Sequence, residues 1–184
     1  AASRSFAAAE QLVPGDTASL AEKLSADFES HTRRGTDARA AHRHAEAISA
    51  FEAALRLKPN DEHTKSLLAS ARQAKADADK ARYTQTVTEA KNALVGKRYR
   101  DAVRIARQAE GIISDHSEAV QVRRDAERVI AEYDQWINKA KSAIQRKKYD
   151  EAVTAADQAA LLMPGEVEPT VLRSEAARKK LERR

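Results

Sequence analysis

Five histidines and 28 aspartates and glutamates are the side chains of this 184-residue sequence that could bind a metal, because it contains no cysteine. His42 and His44 differ by two positions, or about 200° around a helix, and His31 lies about 16 Å from His42 along a helix axis. The side chains of these three histidines therefore cannot bind the same metal ion. We therefore expect no metal and no cofactor, and turn or surface positions for all five (His31, His42, His44, His63 and His116).

The carboxylates alternate with Lys and Arg at spacings of three and four residues, as in Glu127, Arg128 and Glu132. This spacing is typical of a solvated helix with ion pairs between its own side chains. The sequence contains no nucleophile elbow, no Gly-rich phosphate loop and no HExxH motif. We therefore expect a protein that is not an enzyme.

The composition indicates that any functional side chains are positioned by helices. Alanine alone supplies 39 residues, against five glycines and four prolines, and hydrophobic residues make up 42% of the chain. Strong helix formers dominate this composition. The longest apolar run, residues 159–163, is far shorter than a membrane span. The composition predicts an all-α fold without membrane insertion.

The net charge of +5 is concentrated at one end of the chain. Residues 173–184 contain six basic and two acidic side chains, so the remainder nets only +1. A charge-balanced body with a basic tail makes nucleic acid an unlikely partner. The absence of cysteine leaves the compartment open, with the cytoplasm favoured, and a first residue other than Met suggests a fragment of a larger protein.

An internal repeat of 50 residues organises the second half of the sequence. The matching positions are Tyr83 and Tyr133, Ala90 and Ala140, Tyr99 and Tyr149, Ala102 and Ala152, and Ala109 and Ala159. A third copy contains Ala47, Ala54 and Pro59, and residues 2–14 repeat its second half. The repeats predict one domain, composed of a half repeat (1–14), three complete repeats (15–59, 60–114 and 115–165) and a C-terminal capping helix (166–184).

Stretches without glycine or proline predict long helices, and short turns near residues 42–44, 96–98 and 147–148 split each repeat into a long first helix and a shorter second one. The expected helices are 2–13, 17–42, 45–58, 61–95, 99–113, 116–146, 149–163 and 168–183. Pro14-Gly15-Asp16 and Pro59-Asn60-Asp61 are interpreted as a helix stop followed by an N-cap, with Ser114-Asp115 as their equivalent. Alanine at the recurring positions leaves room for close helix crossings, so Ala152 and Ala159 should be buried while Asp157 and Gln158 face outward.

The repeats resemble the tetratricopeptide repeat, a helix-turn-helix unit of about 34 residues. The last repeat carries Trp136, Ala140, Tyr149-Asp150-Glu151-Ala152, Ala159 and Pro164 at the signature positions, and the first carries Gly35, Ala47, Phe51, Ala54 and Pro59. The spacings of 45 to 55 residues exceed the family's period, which we interpret as added turns at the start of each first helix. Such an elongated variant is similar to arrays in bacterial multidomain signalling proteins. The resemblance implies a right-handed α-α superhelix, a solenoid of long-short hairpins.

In that family the first helices line a concave face that holds a protein or peptide partner. The matching positions here are Thr32, Arg33 and Thr36, then Thr84, Val87, Thr88, Lys91 and Leu94, then Asp134, Ile137, Asn138, Lys141 and Ile144. From these we expect the partner-binding side chains to be Arg33, Thr84, Thr88, Lys91, Asn138 and Lys141. The equivalent lysines Lys91 and Lys141 suit an acidic or C-terminal carboxylate group, or they belong to a solvated face.

The sequence thus favours a non-enzymatic protein-interaction scaffold, with a monomer favoured over an oligomer. Two alternatives remain. The basic C-terminal helix could form a nucleic-acid-binding module, although its charge alone supports only salt-sensitive, unspecific binding. The chain could instead be a structural helical spacer in a larger signalling protein, because residues 70–82 offer little besides alanine to bury.

Overall fold

The computed structural model describes residues 14–182, and α-helices hold 85% of them. Seven helices follow one another within this range, without a strand, so the all-α prediction is confirmed. They are α1 (Pro14–Ala40), α2 (His44–Leu57), α3 (Glu62–Val95), α4 (Tyr99–Glu110), α5 (Ser117–Gln145), α6 (Tyr149–Leu162) and α7 (Glu168–Leu181). Within the same residues no helix is both long and apolar enough to cross a membrane.

Two of the interpreted helix stops differ from the structure, and the predicted helix 2–13 lies outside the described residues. Pro14 and Gly15 belong to the first turn of α1 rather than to a turn before it, a position where proline is tolerated because the first N–H groups of a helix need no intrahelical partner. The N-cap of α5 is His116, not Asp115. Asp61 is the N-cap of α3 as expected, since its Oδ1 accepts the Thr64 N–H at 2.7 Å.

Three turns join a long helix to a short one with the same geometry. At the α3–α4 turn, Arg98 N–H donates to the Ala93 carbonyl and Lys97 N–H donates to the Leu94 carbonyl. This pair of bonds is the Schellman motif, which places one residue in the left-handed region. That residue is His42, Lys97 or Lys147, with φ of 57°, 56° and 61°.

The chain divides into two compact units, Ala1–Ala78 and Asp79–Arg184, and the division falls inside α3. In the described part of the first unit, α1, α2 and the start of α3 pack around the buried ring of Phe51. Its buried neighbours are Ala38, Ala47, Leu68 and Ala71. Gly35 is also buried here, because the Phe51 ring occupies the space where a side chain at position 35 would lie.

The second unit repeats one three-layer core at an interval of 50 residues. In the first copy the layers are Tyr83, Val87, Ala109 and Ala119, then Ala90, Ala106 and Val122, then Ala93, Ala102 and Ala126. In the second copy the equivalent residues Tyr133, Ile137, Ala140, Ala143, Ala152, Ala156, Ala159, Leu172 and Ala176 form one continuous cluster. Most contacts in both copies involve alanine, which lets the helix axes approach closely.

The helix α5 serves both copies, which explains the long period. Its first part contributes Val122 and Ala126 to the core with α3 and α4, whereas its second part contributes Tyr133 and Ile137 to the core with α6 and α7. The helices α3 and α5 accordingly have 34 and 29 residues without interruption. The prediction that the extra residues of each repeat are helical is therefore confirmed for these two helices.

The burial expected on α6 is also observed. Ala152 and Ala159 are fully buried, while Asp157 is half-buried and Gln158 is exposed. The repeat register assigned from the sequence is thus correct for this helix.

Candidate partner-binding surface

The six predicted partner-binding side chains are all exposed. Arg33 lies on α1 in the first unit, and the other five lie in the second. Thr84, Thr88 and Lys91 share one face of α3 because their spacing of four and three residues matches the helical repeat. Asn138 and Lys141 occupy the equivalent face of α5, 50 residues later. The second unit therefore presents the same polar row twice.

The threonine hydroxyls of this row already have backbone partners. Thr84 Oγ1 donates to the Lys80 carbonyl at 3.0 Å, and Thr88 Oγ1 donates to the Thr84 carbonyl at 2.8 Å. A hydroxyl that donates within its own helix still has lone pairs and can accept a hydrogen bond from a ligand. The threonines therefore suit a donor group of a partner, such as a peptide N–H.

Each lysine of the row forms an ion pair with a glutamate in the first turn of a later helix, α5 for Lys91 and α7 for Lys141. Lys91 pairs with Glu118, and Lys141 Nζ lies 2.7 Å from Glu168 Oε1. The two pairs are exact equivalents in the 50-residue repeat, and all four side chains are about half exposed. Such exposed pairs contribute about 0 to 1 kcal/mol each. A carboxylate of a partner can therefore compete for either ammonium group.

Three apolar residues that we expected along the partner face belong to the core instead. Val87 is 2% exposed, Ile137 4% and Ile144 8%, and Leu94 is half-buried against the alanine layers. The reason is the helical register: Val87 lies four residues after Tyr83 and three before Ala90, so it continues their buried stripe. Val87, Ile137 and Ile144 therefore offer a partner little surface.

A charged network on α4 and α5 was not anticipated from the sequence. Arg123 Nε lies 2.6 Å from Glu110 Oε1, and its Nη1 lies 2.9 Å from Glu127 Oε2. The other carboxylate oxygen of Glu127, Oε1, lies 3.1 Å from Arg107 Nη2. The hydrogen bonds that Arg123 donates to Glu110 and Glu127 raise the pKa of its guanidinium. The network fastens α4 to α5 outside the alanine layers, and the i,i+4 spacing of Arg123 and Glu127 was the one sequence signal for it.

Two equivalent tyrosines differ in their hydrogen bonding. Tyr83 is buried, and its hydroxyl oxygen accepts the backbone N–H of Ala119 at 3.3 Å, in the first turn of α5. The equivalent of Ala119 in the next repeat is Pro169, whose nitrogen carries no hydrogen. The Tyr133 hydroxyl is accordingly buried without a hydrogen-bond partner. Burial raises the pKa of Tyr133, and the charges of Glu168 and Glu166 raise it further.

The basic C-terminal residues are engaged in ion pairs over the part that the structure describes. The pairs are Arg173 with Asp157, Arg178 with Glu182, Lys179 with Glu175, and Lys180 with Asp150. Two of them connect α7 to α6, one lies within α7, and one joins α7 to its C-cap residue Glu182. The positive charge of α7 is therefore largely matched by nearby carboxylates.

Trp136 is half-buried against the core of the last repeat, with Lys139 Nζ 4.6 Å from the centre of its ring. Between residues 14 and 182, no group of three or more His, Asp and Glu side chains is arranged to hold a metal ion. The row on α3 and α5, whose lysine ion pairs recur after 50 residues, is the candidate partner-binding surface.

Comparison with known proteins found no matching family model, no matching curated protein and no matching solved structure.

Proposed function

We propose that this protein is a non-enzymatic scaffold with a tetratricopeptide-like, right-handed solenoid arrangement of its hairpins. Its partner is a protein or peptide that binds along the exposed row of α3 and α5. In this proposal Lys91 and Lys141 bind carboxylate groups, while Thr84, Thr88 and Asn138 exchange hydrogen bonds with a peptide backbone. Arg33 belongs to the equivalent row of the first unit.

The observation that carries the proposal is the repetition of the lysine pairs. Lys91 with Glu118 and Lys141 with Glu168 recur at the same repeat positions, on a surface where burial alone does not require them. A surface whose binding side chains recur at a fixed interval suits an extended peptide, because the peptide's own groups are also regularly spaced. The weakness of each exposed pair leaves the lysines available to a competing carboxylate.

The proposal is tested by capture of partners on the immobilised full chain, followed by mass spectrometry. The variant Lys91→Gln/Lys141→Gln removes both charges without placing a new charge beside Glu118 or Glu168. The control Arg104→Gln removes one exposed charge from α4, which does not carry the row. Partners that are lost with the lysine variant and retained with the control support the proposal. Identical capture by all three chains would refute the assignment of the row.

A structural spacer is the second candidate, and one observation favours it. Between Ala71 and Tyr83, the described helix α3 buries none of its side chains. A segment of this kind contributes length rather than core. If the chain is a spacer, deleting seven residues from this segment, about two helical turns, should impair the parent protein while every charge variant of the row is tolerated.

Nucleic-acid binding is the alternative function that a binding measurement on the full and the shortened chain can exclude. Because the body nets only +1 and the described basic side chains of α7 are paired, binding to duplex or single strands should be weak and lost at moderate salt. Removing residues 173–184 should abolish it. Tight, salt-resistant binding by the shortened chain would replace the scaffold proposal.

A further inference from the structure

The helix α7 fills a groove between α5 and α6. The floor of the groove is formed by Tyr133 and Ile137 of α5 and by Ala156 and Ala159 of α6, all at most 4% exposed. α7 inserts Pro169, Leu172 and Ala176 into it. We call this the α5–α6 groove.

An equivalent groove between α3 and α4 is filled by the first part of α5. There Ala119, Val122 and Ala126 take the positions of Pro169, Leu172 and Ala176. The two fillers share a small residue in the first turn, an aliphatic residue three positions later and alanine four positions after that. They differ at the first of these positions, where Ala119 supplies an N–H to the tyrosine of its groove and Pro169 cannot.

The mismatch leaves the occupant of the α5–α6 groove less firmly bound than it would be with a matching helix. A buried hydroxyl without a partner is a penalty that a different helix can remove by donating one backbone N–H.

From this comparison we infer that the α5–α6 groove is a second binding site, and that its ligand is an amphipathic helix which replaces α7. The ligand presents a small non-proline residue, an aliphatic residue and an alanine at the spacing of Ala119, Val122 and Ala126, with its first-turn N–H directed at the Tyr133 hydroxyl. This site adjoins the lysine row and shares Lys141 with it, but its ligand is held by the apolar groove and the Tyr133 hydroxyl, so its test does not depend on the proposed function.

The charges around the groove agree with this ligand. Glu168 of α7 pairs with Lys141 across the entrance, and Arg173 pairs with Asp157 of α6. In the sequence of α5, Glu118 and Arg123 stand at the same distances from the first-turn residue. A peptide with the sequence of residues 116–131 therefore offers the groove both its apolar and its charged partners.

The test uses that synthetic peptide on the full chain, with hydrogen exchange of the α7 amides as the readout. Because α7 competes from within the chain at an effective concentration on the order of millimolar, the peptide is titrated to about 1 mM. We expect exchange in α7 to become severalfold faster as the peptide takes its place. Unchanged α7 exchange at the highest concentration would overturn the inference.

A second peptide, carrying Ala119→Pro, and the chain variant Tyr133→Phe isolate the proposed hydrogen bond. The proline peptide should accelerate α7 exchange less than the parent peptide in the original chain. In the Tyr133→Phe chain, which has no hydroxyl to satisfy, the two peptides should act alike. If the peptides are equal in the original chain, or still differ in the phenylalanine chain, the Tyr133 hydroxyl does not select the ligand and the inference is wrong.

Discussion

Replacing Gly35 by alanine should destabilise the first unit, although alanine is the better helix former. A β-carbon at position 35 would lie 2.5 Å from Cε1, 2.6 Å from Cδ1 and 2.9 Å from Cζ of Phe51. Ordinary contacts of a β-carbon begin near 3.4 Å. The Phe51 ring is fully buried, so it cannot move into solvent to make room.

Two opposing effects decide the magnitude. Alanine in place of glycine inside a helix contributes about 1 kcal/mol to helix stability. Overpacking a close crossing by one carbon costs about 1 to 3 kcal/mol, and the short distances to three ring atoms place this site in the upper part of that range. We therefore expect Gly35→Ala to lower the free energy of unfolding by about 1 to 2 kcal/mol.

The assay is urea unfolding followed by circular dichroism, with Gly111→Ala as the control. A β-carbon at Gly111 meets its nearest atom at 3.6 Å, an ordinary contact, so this variant should change stability by less than about 0.5 kcal/mol. In a Phe51→Ala background the clash is absent, and Gly35→Ala should become stabilising. A Gly35→Ala protein as stable as the original, or a cost that persists without the ring, would refute the reasoning.

Three further predictions use the same unfolding measurement. Tyr83→Phe should cost about 1 kcal/mol because it leaves a backbone N–H unpaired, whereas Tyr133→Phe should be neutral or stabilising; equal costs would contradict the difference between the two hydroxyls. Ala152→Leu should cost about 1 to 3 kcal/mol and Gln158→Lys at most about 0.5 kcal/mol; equal effects would contradict the register of α6. Hydrogen bonding from Thr64 lowers the pKa of Asp61. The ionised Asp61 carboxylate therefore stabilises the fold above the pKa of an unfolded aspartate, about 3.9. This stabilisation is lost as pH falls through the lower pKa of Asp61 in the folded protein. Asp61→Asn should retain the N-cap and lose less stability on acidification. The same decrease in the free energy of unfolding at low pH in both proteins would contradict this.

The helices and their packing positions were largely predictable from the sequence, for a physical reason. A close helix crossing tolerates only small side chains, so the requirement leaves alanine at fixed intervals. The positions of Ala102, Ala109, Ala152 and Ala159 were correct on this basis, and all four are fully buried. Glycine or proline lies in four of the six turns that join the described helices, whereas the turns at residues 41–43 and 146–148 contain neither.

The apolar positions expected on the partner face, Val87, Ile137 and Ile144, were wrong, because they belong to the stripe of buried residues. The sequence already placed Val87 between Tyr83 and Ala90 at a spacing of four and three, which assigns it to the core. Thr84, Thr88 and Lys91, each shifted along from that stripe, are exposed. A check of helical phase would have separated the two sets.

The lysine pairs depend on contacts between residues 27 positions apart, which local spacing cannot reveal. The repeat, however, contained the signal: both members of the pair Lys91 and Glu118 return 50 residues later as Lys141 and Glu168. Repetition of an oppositely charged pair indicates contact more strongly than repetition of a single residue, because an ion pair requires opposite charges at both positions. The lysines alone had suggested only a binding face.

The left-handed turns give the final prediction, since the left-handed residue in each is not a glycine: Gly96 precedes Lys97 in one turn, and the other two turns contain no glycine. Lys147 has φ of 61°, and Lys148 beside it has φ of −94°. A left-handed conformation costs a residue with a β-carbon about 1 to 2 kcal/mol, and glycine avoids this cost but loses up to about 1 kcal/mol through its freer unfolded chain. Lys147→Gly should therefore raise the free energy of unfolding by up to about 1 kcal/mol. Lys148→Gly, the same change at a residue with negative φ that also pairs with Glu151, should lower it. Thermal melts in which both variants are destabilised alike would show that residue 147 is not left-handed, and the repeated turn geometry would fall with it.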